Sequence, residues 1–137
     1  MRSATIQITV PFFDIDAMHI VWHGHYVKYL ELARCALLQT FDYDYPQMQE
    51  SGYLWPIVDM HIKYRKSATL GLPIEVIATL VEWEHRLKIN YRIVDVTSGA
   101  LLTKASTIQV AVSIATGEMC FESPVILLQK LGIPACG

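Results

Sequence analysis

Charge is scarce in this chain. Only 18% of its 137 residues are Asp, Glu, Lys or Arg, and the formal net charge is −2. A nucleic-acid or anionic-membrane binder needs a basic surplus, which this balance does not supply. Cysteine is scarcer still: Cys35, Cys120 and Cys136 are odd in number and follow no metal or redox spacing. Three scattered thiols fit a reduced, cytoplasmic protein rather than a disulfide scaffold. No apolar run is long enough to span a bilayer, and the first residues hold one Arg but no apolar core, so no signal peptide is expected. Repeats, linkers and low-complexity stretches are also missing. What remains is a single domain over 1–137, long enough to bury a core. Its apolar fraction of 53% is high for a soluble monomer and points to a subunit interface.

Two periodicities divide the chain. Ile6, Ile8 and Val10 alternate with Thr5, Gln7 and Thr9, a short strand that Pro11 ends. From Gly24 to about Phe41, Tyr26, Tyr29, Leu30, Ala33, Leu37 and Phe41 recur at three- and four-residue spacing, which predicts a helix with one buried side. Asp42 to Gly52 reads as an irregular connection or a short helical turn. The period is then two: strands are expected over Val58–Arg65, Ile74–Trp83, Leu87–Ile93 and a long Leu101–Ile114, running as a meander. Ser123-Pro124 as N-cap and first helical residue, with Gly132 as the stop, predicts a short terminal helix. One long helix against five strands is an α+β layer architecture.

The chemistry concentrates between Phe12 and Tyr26. Asp14, Asp16, His19, His23 and His25 crowd the residues before the helix, where free N–H groups and the positive dipole end are presented. Asp14 and Asp16 both fit a capping or charge–dipole role. Asp16, however, stands among Ile15, Ala17, Met18, Ile20, Val21 and Trp22, and a carboxylate in apolar surroundings is a candidate nucleophile or general base. The histidines lack metal spacing: there is no His-Glu-x-x-His, and five residues separate His25 from Glu31. No metal is expected, and His19 and His25 are expected to be partly buried and hydrogen-bonded.

The run Asp14-Ile15-Asp16-Ala17-Met18-His19-Ile20-Val21-Trp22-His23-Gly24-His25-Tyr26, followed by Glu31-Leu32-Ala33-Arg34 on the helix, resembles the signature of the 4-hydroxybenzoyl-CoA thioesterase family. That pattern reads Asp-x-Asp-x-x-Gly-x-Val-x-His-x-x-Tyr, with Glu-x-x-Arg on the helix. Lys63 to Ala68 and Gly71 look like the family's strand and turn after the helix. The resemblance implies a hotdog fold, a five-stranded antiparallel sheet wrapped around one long central helix, and hydrolysis of acyl-CoA thioesters without a cofactor. Asp16 becomes the catalytic carboxylate, as nucleophile or general base, and the N–H groups of His23 and Gly24 become the oxyanion hole. Tyr26 and Glu31 brace the helix, with Arg34 paired to Glu31. Arg65, Lys66, His85, Arg86 and Lys88 are CoA-phosphate candidates, and Trp22, Tyr53, Trp55 and Trp83 are acyl-pocket candidates.

The family also implies a homodimer, doubled into a tetramer, with Asp16 from one subunit and Leu54 to Met60, including Val58 and Met60, from the other. Two departures stand out: His19 occupies the family's Gly position, and His25 replaces a common Asn or Ser. Two other functions fit the same residues. One is a thioesterase of this fold acting on carrier-protein substrates through a basic rim of Lys63, Arg65 and Lys66. The other is a silent acyl-CoA-binding module.

Overall fold

Alternation on β1 (Ser3–Thr9) turns Ala4, Ile6 and Ile8 inward and Thr5 and Gln7 outward. The same rule buries Ile74, Val76, Ala78 and Leu80 of β4 (Pro73–Glu82) and Leu87, Ile89, Tyr91 and Ile93 of β5 (Leu87–Asp95). β3 (Ile57–Tyr64) and β6 (Leu101–Gln109) complete a five-stranded antiparallel sheet in the order β1-β4-β5-β6-β3. A two-residue strand β2 (Tyr53–Leu54) pairs with β7 (Val112–Ser113) beside it. These elements come from a computed structural model that describes residues 2–134; Cys136 lies outside the described residues.

The helix α1 (His25–Gln39) lies across the inner face, packed against β1 and β4. Its buried stripe of Tyr26, Tyr29, Leu30, Ala33, Leu37 and Leu38 joins the sheet's apolar face in one continuous core. Arg34 is buried on this helix too. Its guanidinium is paired with Glu31 and bonded to the Tyr45 hydroxyl on α2 (Tyr45–Glu50). Asp44 opens α2 with a capping box: Tyr45 N–H donates to Asp44, while Gln47 accepts from the Asp44 N–H.

Three expectations are corrected. The last four strands are not a meander, because only β4, β5 and β6 follow in sequence; β3 sits at the far edge against β6. The chain from β3 to β4 must therefore cross three inter-strand spacings, about 14 Å. It passes over the start of α1, where the Tyr26 hydroxyl accepts the Ala68 N–H at 3.2 Å. The long strand Leu101–Ile114 is broken after Gln109, whose side-chain amide donates to the Trp55 carbonyl at 2.8 Å; the chain then leaves β6 to pair with β2. The terminal helix α3 (Val125–Leu131) starts one residue late: Pro124 is its cap, and the buried Ser123 hydroxyl makes no capping bond. Gly132 does end it, at φ 73°.

The segment between β1 and α1 is held by one carboxylate. Asp14, 1% exposed, accepts from Lys28 Nζ at 2.6 Å and from the Tyr29 hydroxyl at 2.5 Å. Its own carbonyl accepts the Trp22 N–H at 3.0 Å, which closes the intervening loop. Burial alone would push the Asp14 carboxyl up, but the two hydrogen bonds and the Lys28 charge outweigh it and hold its pKa below the ordinary value. A carboxyl with a depressed folded pKa contributes stability that is complete above its unfolded pKa, near 4, and is lost as pH falls through the folded value. Asp14→Asn is expected to cost about 1.5–3 kcal/mol of unfolding free energy at pH 7. The gap between variant and wild type should close as pH drops below about 4. Urea titrations of both proteins across that range check this, and a gap independent of pH would refute it.

Candidate active site

The loop from Ile15 to Val21 is a small hairpin. Ile15 pairs with Val21 and Ile20 with Thr69, while the Asp16 N–H donates to the Ile20 carbonyl at 2.8 Å and the His19 N–H to the Asp16 carbonyl at 3.0 Å. Asp16 Oδ1 accepts the Met18 N–H at 2.8 Å, an Asx turn that fixes the carboxylate's orientation. Its second oxygen takes no hydrogen bond among the described residues. The fourth turn position is His19, at φ 62°. His19 thus keeps the left-handed backbone for which the family places Gly, and it bears the strain of a side chain there. The expectation of a partly buried His19 is corrected, because the side chain is exposed. Its side chain is not among those that line the cleft beside Asp16.

The apolar setting expected for Asp16 is also revised. Asp16 is half-buried, but Met18 is 71% exposed, Trp22 48%, and Phe12 and Phe13 more than 70%. The loop turns Met18 and Trp22 outward, while Val21 is buried in the core and Ile15 packs against it.

Helix α1 begins with a tight turn that leaves donors unused. The His25 N–H donates to the Trp22 carbonyl at 2.9 Å, and the Tyr26 N–H to His23 at 3.4 Å. The intervening N–H groups of His23 and Gly24 reach no acceptor among the described residues. Tyr64, at the end of β3, braces the turn: its hydroxyl donates to the His23 carbonyl at 2.8 Å, and its ring meets His23 and Tyr26 edge-on. Burial, helped by Tyr26, pushes the Tyr64 hydroxyl up, so it stays a donor. The Trp22 indole lies directly over Gly24, where any Cβ would overlap its six-membered ring. Gly24 has φ −68°, so it serves this close approach and not a special backbone angle.

These parts enclose a cleft of about 210 Å³ lined by Asp16, Met18, Ile20, Val21, His23, Tyr26, Tyr64, Arg65, Lys66 and Ser67. The expected Asp16, His23, Tyr26, Arg65 and Lys66 are thus brought together, with Gly24 and Trp22 at its edge. Tyr64 and Ser67 complete it. Sequence reasoning passed over both, although Tyr64 ends an alternating strand beside a cationic cluster.

Other predicted residues lie elsewhere in the chain. Trp55 is a correction: it is 4% exposed, its ring N–H donates to Tyr43, and it belongs to the core, not to the pocket. Tyr53 packs on the same core. His85 and Arg86 form the β4–β5 turn with Trp83, at the opposite end of the sheet from Tyr64, and Arg86 is paired with Glu82 at 2.7 Å. Val58 and Met60 stand on β3, Val58 unpaired at a bulge. His25 is partly buried, as expected, but its side chain, 3.8 Å from Asp14, makes no hydrogen bond among the described residues. Cys35 offers no nucleophile, since burial, then Asp44 and Glu31, push its thiol up to about 11. Among the described residues no His, Cys, Asp and Glu gather in a metal-holding group, and no helix is long and apolar enough to cross a membrane.

Known proteins share this architecture. The Thioesterase-like superfamily model matches residues 10–133. The Bacillus subtilis protein named "Putative acyl-CoA thioesterase YneP" is 34% identical over 71 residues, 52% of this chain and 51% of that one; the match spans about half the length of that relative. A 1,4-dihydroxy-2-naphthoyl-CoA thioesterase from Synechocystis superposes with a TM-score of 0.83 at 20% identity, covering 95% of this chain and 96% of its own. A variant 4-hydroxybenzoyl-CoA thioesterase bound to 4-hydroxybenzoyl-CoA gives 0.81 at 20% identity, over 95% and 99%. With its five-stranded sheet, its one long helix and a family match running from Val10 to Ile133, the chain belongs to the thioesterase-like superfamily and has the hotdog fold.

Proposed function

We propose that this protein is an acyl-CoA thioesterase whose reaction runs in the cleft between the Asp16 turn and the start of α1. One observation carries the reading: a carboxylate with an unused oxygen shares a cleft with a helix start whose His23 and Gly24 N–H groups have no acceptor. Thioester hydrolysis needs both parts. As the carbonyl carbon is attacked, its oxygen gains negative charge, and two aligned N–H donors at a helix N-terminus stabilise that charge more than the ground-state carbonyl.

Asp16 supplies the attack in one of two ways. As general base it takes a proton from water, whose oxygen bonds to the acyl carbon. As nucleophile it forms a mixed anhydride that water then opens. In both cases the C–S bond breaks, and the thiol of CoA leaves with a proton. Tyr64 holds the His23 peptide in place, and Arg65 and Lys66 at the cleft mouth suit the CoA phosphates. The names of the relatives support the substrate class.

A second copy of the chain completes the site. β3 is an open edge, and on the segment leading into α1 Phe12, Phe13, Met18 and Trp22 are exposed, with Met18 at the cleft itself. Antiparallel pairing of β3 with itself sets Val58 and Met60 of the partner subunit beside Tyr64, and brings the partner's His85 and Arg86 toward the cleft. Such a dimer, doubled into a tetramer, would work in the cytoplasm.

Two variants test this. Asp16→Asn keeps the shape and should lower kcat/KM on a panel of aryl- and alkyl-CoA thioesters by about two orders of magnitude or more; free CoA is the readout, and equal rates would clear Asp16. A single turnover in ¹⁸O-water then tests the nucleophilic role: an unlabelled acid product with ¹⁸O left in the Asp16 carboxyl requires an anhydride opened at the Asp16 carboxyl carbon, whereas a labelled product fits a general base or an anhydride opened at the acyl carbon. Gly24→Ala should displace the Trp22 ring, alter its fluorescence and lower kcat/KM by roughly ten- to a hundredfold through misplaced donors. Unchanged helicity by circular dichroism would show that the helix itself survives, and unchanged kinetics would remove Gly24 from the site.

A further inference from the structure

The cations of the helices and of the β4–β5 turn have carboxylate partners: Lys28 with Asp14, Arg34 with Glu31, Lys130 with Asp42 and Arg86 with Glu82. The strand cations Lys63, Lys88, Arg92 and Lys104 form no ion pair among the described residues. Register sets three of them in one row, since Lys63 pairs with Lys104 and Lys104 with Arg92. All three are exposed on the face turned away from the helix, because their neighbours Tyr91, Ile93, Thr103 and Ala105 are buried under it. Like charges directly opposite one another destabilise a sheet. The row continues through Ile77 and Thr5, with no carboxylate of the same chain in it.

One carboxylate does share that face of β3. Asp59 is exposed and forms no ion pair among the described residues. Ile108, its partner on β6, separates it from Lys88 on β5. Asp59, His61 and Lys63 therefore follow one another along the outer side of the sheet's free edge, anionic first and cationic last. Met60, Ile62 and Tyr64 alternate with them on the inner side.

We propose that two copies of the chain join these edges antiparallel in a register centred on His61, so that each Asp59 stands opposite Lys63 of the partner subunit. The proposal rests on the two-copy site of the proposed thioesterase. A twofold axis normal to the sheet carries each face onto the same face of the partner, so directly opposed residues must share a face. The centre of the pairing is then a residue, and Met60 and His61 are the centres that keep most of β3 paired. With Met60 at the centre, Lys63 meets the partner's Ile57, a charge against a hydrocarbon, and Asp59 meets the partner's His61. With His61 at the centre, both Asp59–Lys63 pairs form and Met60 meets Ile62 of the partner subunit. Opposite charges and apolar pairs directly across a ladder stabilise it. Each Asp59 thereby ends the other subunit's cationic row with the counter-charge that its own chain lacks. The same register seats the partner's Val58 against Tyr64, whose hydroxyl holds the His23 carbonyl at 2.8 Å. Val58 is exposed and left unpaired by the bulge in β3, free to make that contact. The second copy thus steadies the start of α1.

Cysteine cross-linking reads the register directly. Residues opposed across an antiparallel pair have Cα atoms about 4.5–5.5 Å apart, within reach of a disulfide, which fails beyond about 7 Å. Under mild oxidation, with wild type as the control, His61→Cys should give a covalent dimer and Met60→Cys should not, since Met60 is set two residues off from its own copy. The charges supply a second test. Asp59→Lys and Lys63→Asp should each raise the dimer's dissociation constant, measured by sedimentation, about tenfold or more. The double reversal Asp59→Lys/Lys63→Asp should bring it back toward the wild-type value, because the pair is restored with its signs exchanged. A bridge through Met60→Cys, or through neither variant, would overturn the register, as would a double reversal no tighter than the singles. Release of free CoA by the wild type judges the thioesterase reading on its own. Hydrolysis without a bridge through His61→Cys removes the pairing and leaves the chemistry, and a bridge without hydrolysis upholds the pairing and removes the chemistry.

Discussion

A buried carboxylate with two charge-directed donors organises this molecule's working end. Asp14 cannot sit under the loop unless Lys28 and Tyr29 reach it, and those two residues stand on the first turns of α1. The bond therefore fixes where the helix begins relative to the strand before it. Once that is set, the Trp22 N–H meets the Asp14 carbonyl, the Ile15–Val21 hairpin closes, and the Asp16 turn faces the helix start. Without compensation, a charge this deep would cost several kcal/mol, so the arrangement has few alternatives. The more visible Asp16 depends on the less visible Asp14.

Much of this was legible beforehand, for definite reasons. Strands with one buried face must alternate, and a helix with one buried stripe must repeat every three to four residues, so the elements could be read with small errors at their ends. The grouping of Asp16, His23, Tyr26, Arg65 and Lys66 followed from a local motif and from a turn that passes the helix start. The edge position of β3 was not legible. Alternation shows that a strand has two faces, but not which strand it pairs with. The break after Gln109 was hidden for a related reason, since its cause is a hydrogen bond to Trp55 from far along the chain. Trp55 itself reads like any aromatic near a pocket, and only its bond to Tyr43 puts it in the core.

Net charge misled in a more instructive way. A total of −2 suggested no basic surface, yet a sum carries no information about position. Carboxylates pair with the cations of the helices and the β4–β5 turn, and the cations of three strands are left on one face. The register that puts Lys63, Lys104 and Arg92 side by side is a long-range property, and no window along the sequence contains it.

The placement of β3 also has a consequence for the order in which the molecule assembles. β4, β5 and β6 are joined by tight turns at Trp83–Arg86 and Val96–Ala100, so their ladders close small loops. β3 can join only at the exposed side of β6, after the chain has passed through β4 and β5, and that closes a much longer loop. Loop-closure entropy makes such a pairing slow, as it does the still longer closure of β1 onto β4. Tyr64 to Ser67 ride on the end of β3, so the cleft's outer wall arrives after the central hairpins. A chain halted before that step would have a formed central sheet and no site. Refolding followed by spectroscopy would therefore run ahead of refolding followed by activity.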